Sequence, residues 1–120
     1  MCGILGLIHA QPPTSDMAKH AMAKIARRGP DHLDSHQIND NTWFAHSRLS
    51  IIDLSEKGHQ PYQFDHLVIT FNGVIYNYKE LRKILTKKGY KFSSSSDTEV
   101  LIKAWHYWGD AALHNIDGFF

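Results

Sequence analysis

Apolar residues run almost unbroken from Gly3 to His9, a pattern that suits a strand buried on both faces. Gln11-Pro12-Pro13 ends it. Thr14, Ser15 and Asp16 then offer N-cap side chains, and Met17, Ala21, Met22 and Ile25 follow at helical spacing. Arg27 and Arg28 suit the last turn of that helix, and Gly29-Pro30 stops it. Asn39-Asp40-Asn41 reads as a turn between strands at 36–38 and 42–47. A long connection follows, through Gly58-His59-Gln60-Pro61, to a β-branched strand at 67–71 that Asn72-Gly73 ends. Asn77 can cap a second helix, with Tyr78, Leu81 and Leu85 on one apolar face and Gly89 as its C-cap. Ser96-Asp97-Thr98-Glu99 has the spacing of a capping box for a third helix. Val100, Leu101, Ala104, Trp105 and Trp108 would be its buried face, and Gly109 would close it. Asp117-Gly118-Phe119-Phe120 reads as a turn entering a strand. Strands in short groups and helices in pairs predict an α+β domain rather than regular βαβ alternation.

Composition narrows the function classes. At 120 residues the chain is one domain at most. With 42% hydrophobic and 21% charged residues and a formal net charge of +1, nothing points to disorder, nucleic acid or a membrane. One cysteine rules out an internal disulfide and fits a reducing compartment. There is no basic stretch followed by an apolar one, as a signal peptide would have, and no apolar run near the ~20 residues needed to span a bilayer. The expectation is a soluble cytoplasmic protein. Nine histidines raise the question of a metal. His32 and His36 are spaced i,i+4, but Gly29-Pro30 just before them argues for a loop, and no Cys or acidic residue completes a zinc set along the sequence. No metal site is expected.

The lone cysteine is at position 2. Once Met1 is removed, Cys2 carries a thiol and a free α-amine. An α-amine titrates near ~7.7–8.0 and a thiol near ~8.5, so the amine is substantially neutral at cellular pH and can accept the thiol proton. N-terminal threonine nucleophiles use the same logic. Taken alone, position 2 is equally a small apolar residue near the start of a strand.

Six stretches, in order and spacing, change that balance. They are Met1-Cys2-Gly3-Ile4; Arg28-Gly29-Pro30-Asp31; the run from His46 to Leu54 with Gly58-His59-Gln60-Pro61; Phe71-Asn72-Gly73-Val74-Ile75-Tyr76-Asn77; Ser96-Asp97-Thr98-Glu99-Val100-Leu101; and Asp117-Gly118-Phe119-Phe120. Together the chain resembles the class II glutamine amidotransferase domain of glutamine-hydrolysing asparagine synthetases, a member of the N-terminal nucleophile hydrolases. The resemblance covers essentially residues 1–120. It implies an αββα sandwich, two stacked antiparallel sheets between helical layers, that continues past Phe120. On that expectation the 120 residues alone would be unstable or aggregation-prone.

The resemblance also implies a chemistry: glutamine hydrolysis through a cysteinyl thioester that releases ammonia. Cys2 would be the nucleophile and its own amine the base. Arg48 would hold the α-carboxylate of L-glutamine, with Ile51 and Ile52 lining the same pocket. Asn72 and Gly73 would form the oxyanion hole, although Asn-Gly after a strand is also the commonest short hairpin signal. Asp97 would bind the α-ammonium, although an acidic residue is favoured at a helix N-terminus in any case. Arg28 and Asp31 would fix loops. One position departs from the family pattern: Val74 stands where relatives commonly carry a glutamate thought to help hold the ammonium. No cofactor is implied in this domain. The implied partner is a synthetase domain using ATP and magnesium, with an acceptor such as aspartate, and a homodimer is compatible with the family. Two rival readings stand beside the enzyme, a non-catalytic glutamine-binding module and a truncated fragment.

Overall fold

The computed structural model describes residues 2–9 and 11–120. The first sheet is three-stranded, with β3 (Thr42–Arg48) between β1 (Gly3–Ile8) and β2 (His32–Asn39), and both pairings are antiparallel. Gly3 lies opposite Ser47 and His32 opposite Arg48. The β2–β3 turn falls where Asn39-Asp40-Asn41 predicts it, and the Asn39 side chain accepts from the Asn41 N–H at 2.9 Å. Helix α1 (Ser15–Ile25) packs on β1 and β3, and the Ser47 hydroxyl donates to the Ile25 carbonyl at 2.7 Å. Its N-cap is Thr14, whose hydroxyl accepts from the Met17 N–H at 3.2 Å. Ala18, rather than Met17, is the residue α1 buries.

Two strand expectations need correction. The β1 run is apolar throughout, yet it is an edge strand with one face open: Ile4 is 48% exposed and Ile8 79%. The strand covered on both faces is β3, where Ala45, His46, Ser47 and Arg48 are buried in succession. A central position, not apolar continuity, decides which strand is covered. The 67–71 strand is shorter than expected. It is β5 (Leu67–Ile69), and among the described residues it pairs only with β4 (Tyr62–Phe64).

The main apolar core belongs to the second half of the chain. Phe71, Ile75, Leu81, Leu85, Val100, Ala104 and Ala112 form it. Helix α2 (Tyr78–Lys87) packs there against α3 (Asp97–Trp108). The end of α2 is a Schellman motif: the Tyr90 N–H donates to the Leu85 carbonyl at 3.1 Å and the Gly89 N–H to Thr86 at 3.0 Å. Gly89 has φ +96°, a conformation that favours glycine. Asn77 does not cap α2 with its side chain. Its amide instead spans to the far end of the chain, donating to the Asn115 carbonyl at 2.8 Å and accepting from the Asp117 N–H at 3.0 Å. That tie supports the last sheet, in which β6 (Val74–Ile75) pairs antiparallel with β7 (Gly118–Phe119). The strand after Asn72-Gly73 therefore pairs with the chain's end, not back upon β5, and no hairpin forms there.

Helix α3 differs from its apolar pattern. Ser96 caps it, its hydroxyl accepting from the Thr98 N–H at 3.1 Å. Glu99 does not complete a capping box. Its carboxylate accepts from the Ser93 N–H at 2.9 Å and the Ser94 N–H at 2.8 Å, and pairs with the buried Lys103 ammonium. Thr98, Glu99, Ile102 and Lys103 are buried as well as Val100 and Ala104, while Trp105 is 37% exposed. The first two turns of α3 are covered on both sides, so the helix presents no single buried stripe. Among the described residues no helix is long and apolar enough to cross a membrane.

Candidate active site

The end of β3, the loop after it, the Phe71–Val74 stretch and the N-terminus of α3 converge on one cavity of about 90 Å³. Cys2, Arg48, Ile51 and Ile52 line it from the first half of the chain, and Asn72, Gly73 and Asp97 from the second. Every residue that the sequence singles out for nucleophile, oxyanion or substrate contact thus faces a common space. Val74 lines it too.

Cys2 immediately precedes β1, whose first pair is Gly3 with Ser47. Its sulfur accepts from the Leu49 N–H at 3.3 Å and faces the Leu49 carbonyl at 3.6 Å. Its carbonyl accepts from Arg28 Nε at 3.0 Å. Asp31 braces the same region: its carboxylate accepts from the Ser50 N–H at 2.7 Å, and its own N–H donates to the Arg48 carbonyl at 3.0 Å. Arg28 and Asp31 therefore fix the backbone around Cys2 and Arg48. Met1, and with it the expected exposure of the Cys2 amine, lies outside the described residues.

Arg48 is buried, and its guanidinium has a role beyond the cavity. Nη1 donates to the Ser55 carbonyl at 2.8 Å, and Nη2 donates to the Asp53 carbonyl. Arginine has five N–H donors in a fixed fork, so these two bonds leave donors for a ligand. The residues that hold this loop escaped the sequence reading. Asp53 accepts from the Ser55 N–H and hydroxyl at 2.8 and 2.6 Å through one carboxylate oxygen. Through the other it accepts from the Ser95 N–H and hydroxyl at 2.8 and 3.1 Å. The Ser55 hydroxyl, with these other donors, holds its carboxyl well below the usual range. Asp53 is thus an ionised clasp between the Arg48 loop and the start of α3.

Phe71 is clamped on both sides of its peptide. The buried Gln60 side chain accepts from the Phe71 N–H at 2.6 Å, and its amide nitrogen donates to the Thr98 hydroxyl at 3.1 Å. His46 Nε2–H donates to the Phe71 carbonyl at 3.2 Å. Burial pushes His46 down to a pKa of about 4, so the imidazole is neutral at pH 7. Asn72 and Gly73 follow directly from this clamped peptide. A Cβ at Gly73 would lie 2.5 Å from the Phe119 carbonyl oxygen and 2.6 Å from Phe120 Cβ, so no side chain fits under β7 there. The Asn72 amide makes no hydrogen bond among the described residues and is free toward the cavity.

Asp97 sits in the first turn of α3. One carboxylate oxygen accepts from the Ile75 N–H at 3.0 Å. Burial raises its pKa, and no Lys, Arg or His pairs with it among the described residues. A buried carboxylate without a cation is one that a ligand's ammonium would satisfy. The cavity wall therefore offers one guanidinium, one unpaired carboxylate, one thiol and one free amide. That set is complementary to a small zwitterion carrying an amide or acyl group.

The profile of the family described as "Glutamine amidotransferase domain" matches residues 1–120. The chain belongs to that family. It is 40% identical over 127 residues to asparagine synthetase [glutamine-hydrolyzing] 1 of Bacillus subtilis, covering 100% of this chain and 20% of that protein. It is 33% identical over 136 residues to the same organism's asparagine synthetase [glutamine-hydrolyzing] 3, again covering 100% and 20%. A probable asparagine synthetase [glutamine-hydrolyzing] of Schizosaccharomyces pombe is 38% identical over 125 residues, with 100% of this chain and 22% of that protein covered. The chain spans about a fifth of the length of these relatives.

Proposed function

We propose that this domain hydrolyses L-glutamine to glutamate and ammonia through a Cys2 thioester, on a scaffold of the N-terminal nucleophile hydrolase αββα type. The observation that carries the reading is the single cavity gathering Cys2, Arg48, Asn72, Gly73 and Asp97 from four separate stretches. The α-carboxylate of glutamine sits against Arg48 and its α-ammonium against Asp97, which fixes the α-carbon at two points. With Met1 removed, the Cys2 α-amine takes the thiol proton. The thiolate attacks the side-chain amide carbon, and the Asn72 amide and the Gly73 N–H receive the oxyanion. Collapse of this intermediate breaks the C–N bond, and the departing nitrogen takes the proton from the amine to leave as ammonia. Water, deprotonated by the same amine, then hydrolyses the thioester to glutamate and returns the thiol.

The relatives are glutamine-hydrolysing asparagine synthetases by name, and we propose that the ammonia serves a synthetase region beyond this chain. The family resemblance implies that such a region would use ATP and magnesium and an acceptor such as aspartate. A second reading rests on Val74. It places an apolar side chain on the cavity wall, so Asp97 is the one acidic residue there proposed to meet the ammonium. On that reading the domain binds glutamine without turning it over. Ammonia release from glutamine, compared between the wild-type chain and Cys2→Ala, tests the proposal. Release that requires Cys2 supports hydrolysis. Saturable glutamine binding with no release, in chains shown to lack Met1, favours the binding module.

A further inference from the structure

Along the sequence no metal-ligand set is visible, but the fold assembles one away from the cavity. Asp65 and His66 form the two-residue tip of the β4–β5 hairpin, between the paired Phe64 and Leu67. His106 lies 41 residues after Asp65, in the last turn of α3. Both imidazoles aim at the same carboxylate oxygen of Asp65, His66 Nδ1 at 2.8 Å and His106 Nε2 at 3.2 Å. The three ligand atoms all lie within 4.8 Å of one another.

The surroundings hold this geometry. Asp65 has φ +53°, a left-handed conformation that Asp tolerates better than most residues, and it turns the carboxylate toward the helix. The Phe64 ring stands edge-on to His106, with ring centres 5.1 Å apart. The Tyr90 oxygen is 2.6 Å from His106 Nδ1. A tyrosine hydroxyl can donate or accept. It accommodates the tautomer with the proton on Nε2, which bonds Asp65, and equally the tautomer with the proton on Nδ1. The second tautomer frees the Nε2 lone pair, and an outer oxygen on the far nitrogen is what metal-bound histidines usually have.

We propose that Asp65, His66 and His106 form a divalent transition-metal site of the zinc class, with Tyr90 as its outer-sphere partner. Zn–N and Zn–O bonds of about 2.0–2.2 Å place neighbouring ligand atoms roughly 3.3 Å apart. The two pairs with Asp65, at 2.8 and 3.2 Å, are at or near that separation, and the two imidazole nitrogens lie within 4.8 Å of each other. Two imidazoles and one carboxylate suit zinc, cobalt, nickel or copper better than calcium or magnesium. On each histidine the proton that now bonds Asp65 moves to the other ring nitrogen, and the metal takes its place between the freed lone pair and the carboxylate. The site ties the hairpin to α3, the two elements whose continuations carry Asn72 and whose N-terminus carries Asp97.

The test is titration of the full chain carrying Cys2→Ala, which removes the thiol as a competing ligand. Cobalt(II) is the probe, followed by its visible d–d absorption and displaced by zinc(II). The expected result is one equivalent of cobalt bound, lost in His106→Gln and in His66→Gln, and weakened about 10- to 100-fold in Tyr90→Phe. His66 is at an exposed hairpin tip, so His66→Gln serves even where His106→Gln disturbs folding. Absence of saturable cobalt binding, or binding unchanged in both histidine variants, would overturn the site.

Discussion

Asp97→Asn keeps the shape of the side chain and an oxygen for the Ile75 N–H, and removes only the charge. A charged hydrogen bond is worth about 1.5–3 kcal/mol. The ammonium of the proposed glutamine substrate stays charged from ground state to transition state, so the predicted loss is in KM, roughly ten- to a hundredfold, with kcat little changed. Arg48→Ala moves KM in the same direction, and it further releases the loop held through the Asp53 and Ser55 carbonyls. Steady-state kinetics with unchanged KM for both variants would remove both from the pocket. Asn72→Ala has the opposite signature. It takes away a donor proposed to act only on the developing oxyanion, and kcat falls about 10²–10³-fold. Asp97, Arg48 and Asn72 stand in linear motifs to which the resemblance attaches a proposed role, and they line one cavity. His46, Asp53 and Gln60 stand in such stretches too, but what they do could not be read there, because it depends on distant partners. His46 meets Phe71 across 25 positions, Gln60 meets Thr98 across 38, and Asp53 meets Ser95 across 42.

Helix ends show the same division between local and long-range causes. The Schellman end of α2 and the Ser96 cap of α3 use backbone groups within a few residues, and the sequence announces both. Asn77 and Glu99 have the right residue type and spacing for caps, yet tertiary partners take their side chains. This makes a distinguishing prediction. Glutamine serves a capping box as well as glutamate does, so a capping role would make Glu99→Gln nearly silent. The structure predicts otherwise, because the variant leaves the Lys103 ammonium buried without its counter-charge. Removing one partner of a buried pair costs about 3–5 kcal/mol, against about 1 kcal/mol for loss of the Ser96 cap in Ser96→Ala. Chemical denaturation of the two variants measures the difference. A cost for Glu99→Gln no larger than that of Ser96→Ala would return Glu99 to the capping box.

For the whole molecule, the buried ionisable groups set a response to acid. His46 titrates at about 4 in the fold against 6.5 ordinarily, so between those values the unfolded chain binds more protons than the folded one. Stability from this group is complete above about pH 6.5 and is lost as the pH falls toward 4. One pKa unit corresponds to about 1.4 kcal/mol, which bounds the loss at roughly 3 kcal/mol. Burial depresses His59 in the same direction. Glu99 adds a second, lower step. Burial alone would raise its pKa, but the Lys103 ammonium and the Ser94 and Ser93 donors more than reverse this and bring it from 4.5 to about 2. Its contribution is present above about pH 4.5 and falls away below. Thermal melts from pH 7 to pH 4 should show a declining midpoint, with a shallower decline in His46→Gln. A flat profile, or an identical slope in the variant, would contradict the buried neutral imidazole.

At this scale the α+β class and the convergence of the motifs were legible, but the sheet arrangement was not. The described strands form three small antiparallel sheets, β1-β3-β2, β4-β5 and β6-β7. Strands of two or three residues such as β6 and β7 are too short to carry a period-two pattern, and their pairing is set by the Asn77 tie and by contact across Gly73. The active site proposed here is gathered around one sulfur, that of Cys2. The most direct test is mass-spectrometric mapping of the adduct left by a glutamine-analogue electrophile. The account predicts one adduct, on Cys2, in chains that have lost Met1, with labelling suppressed by glutamine. An adduct elsewhere, equal labelling of Cys2 in chains that retain Met1, or labelling indifferent to glutamine would contradict it.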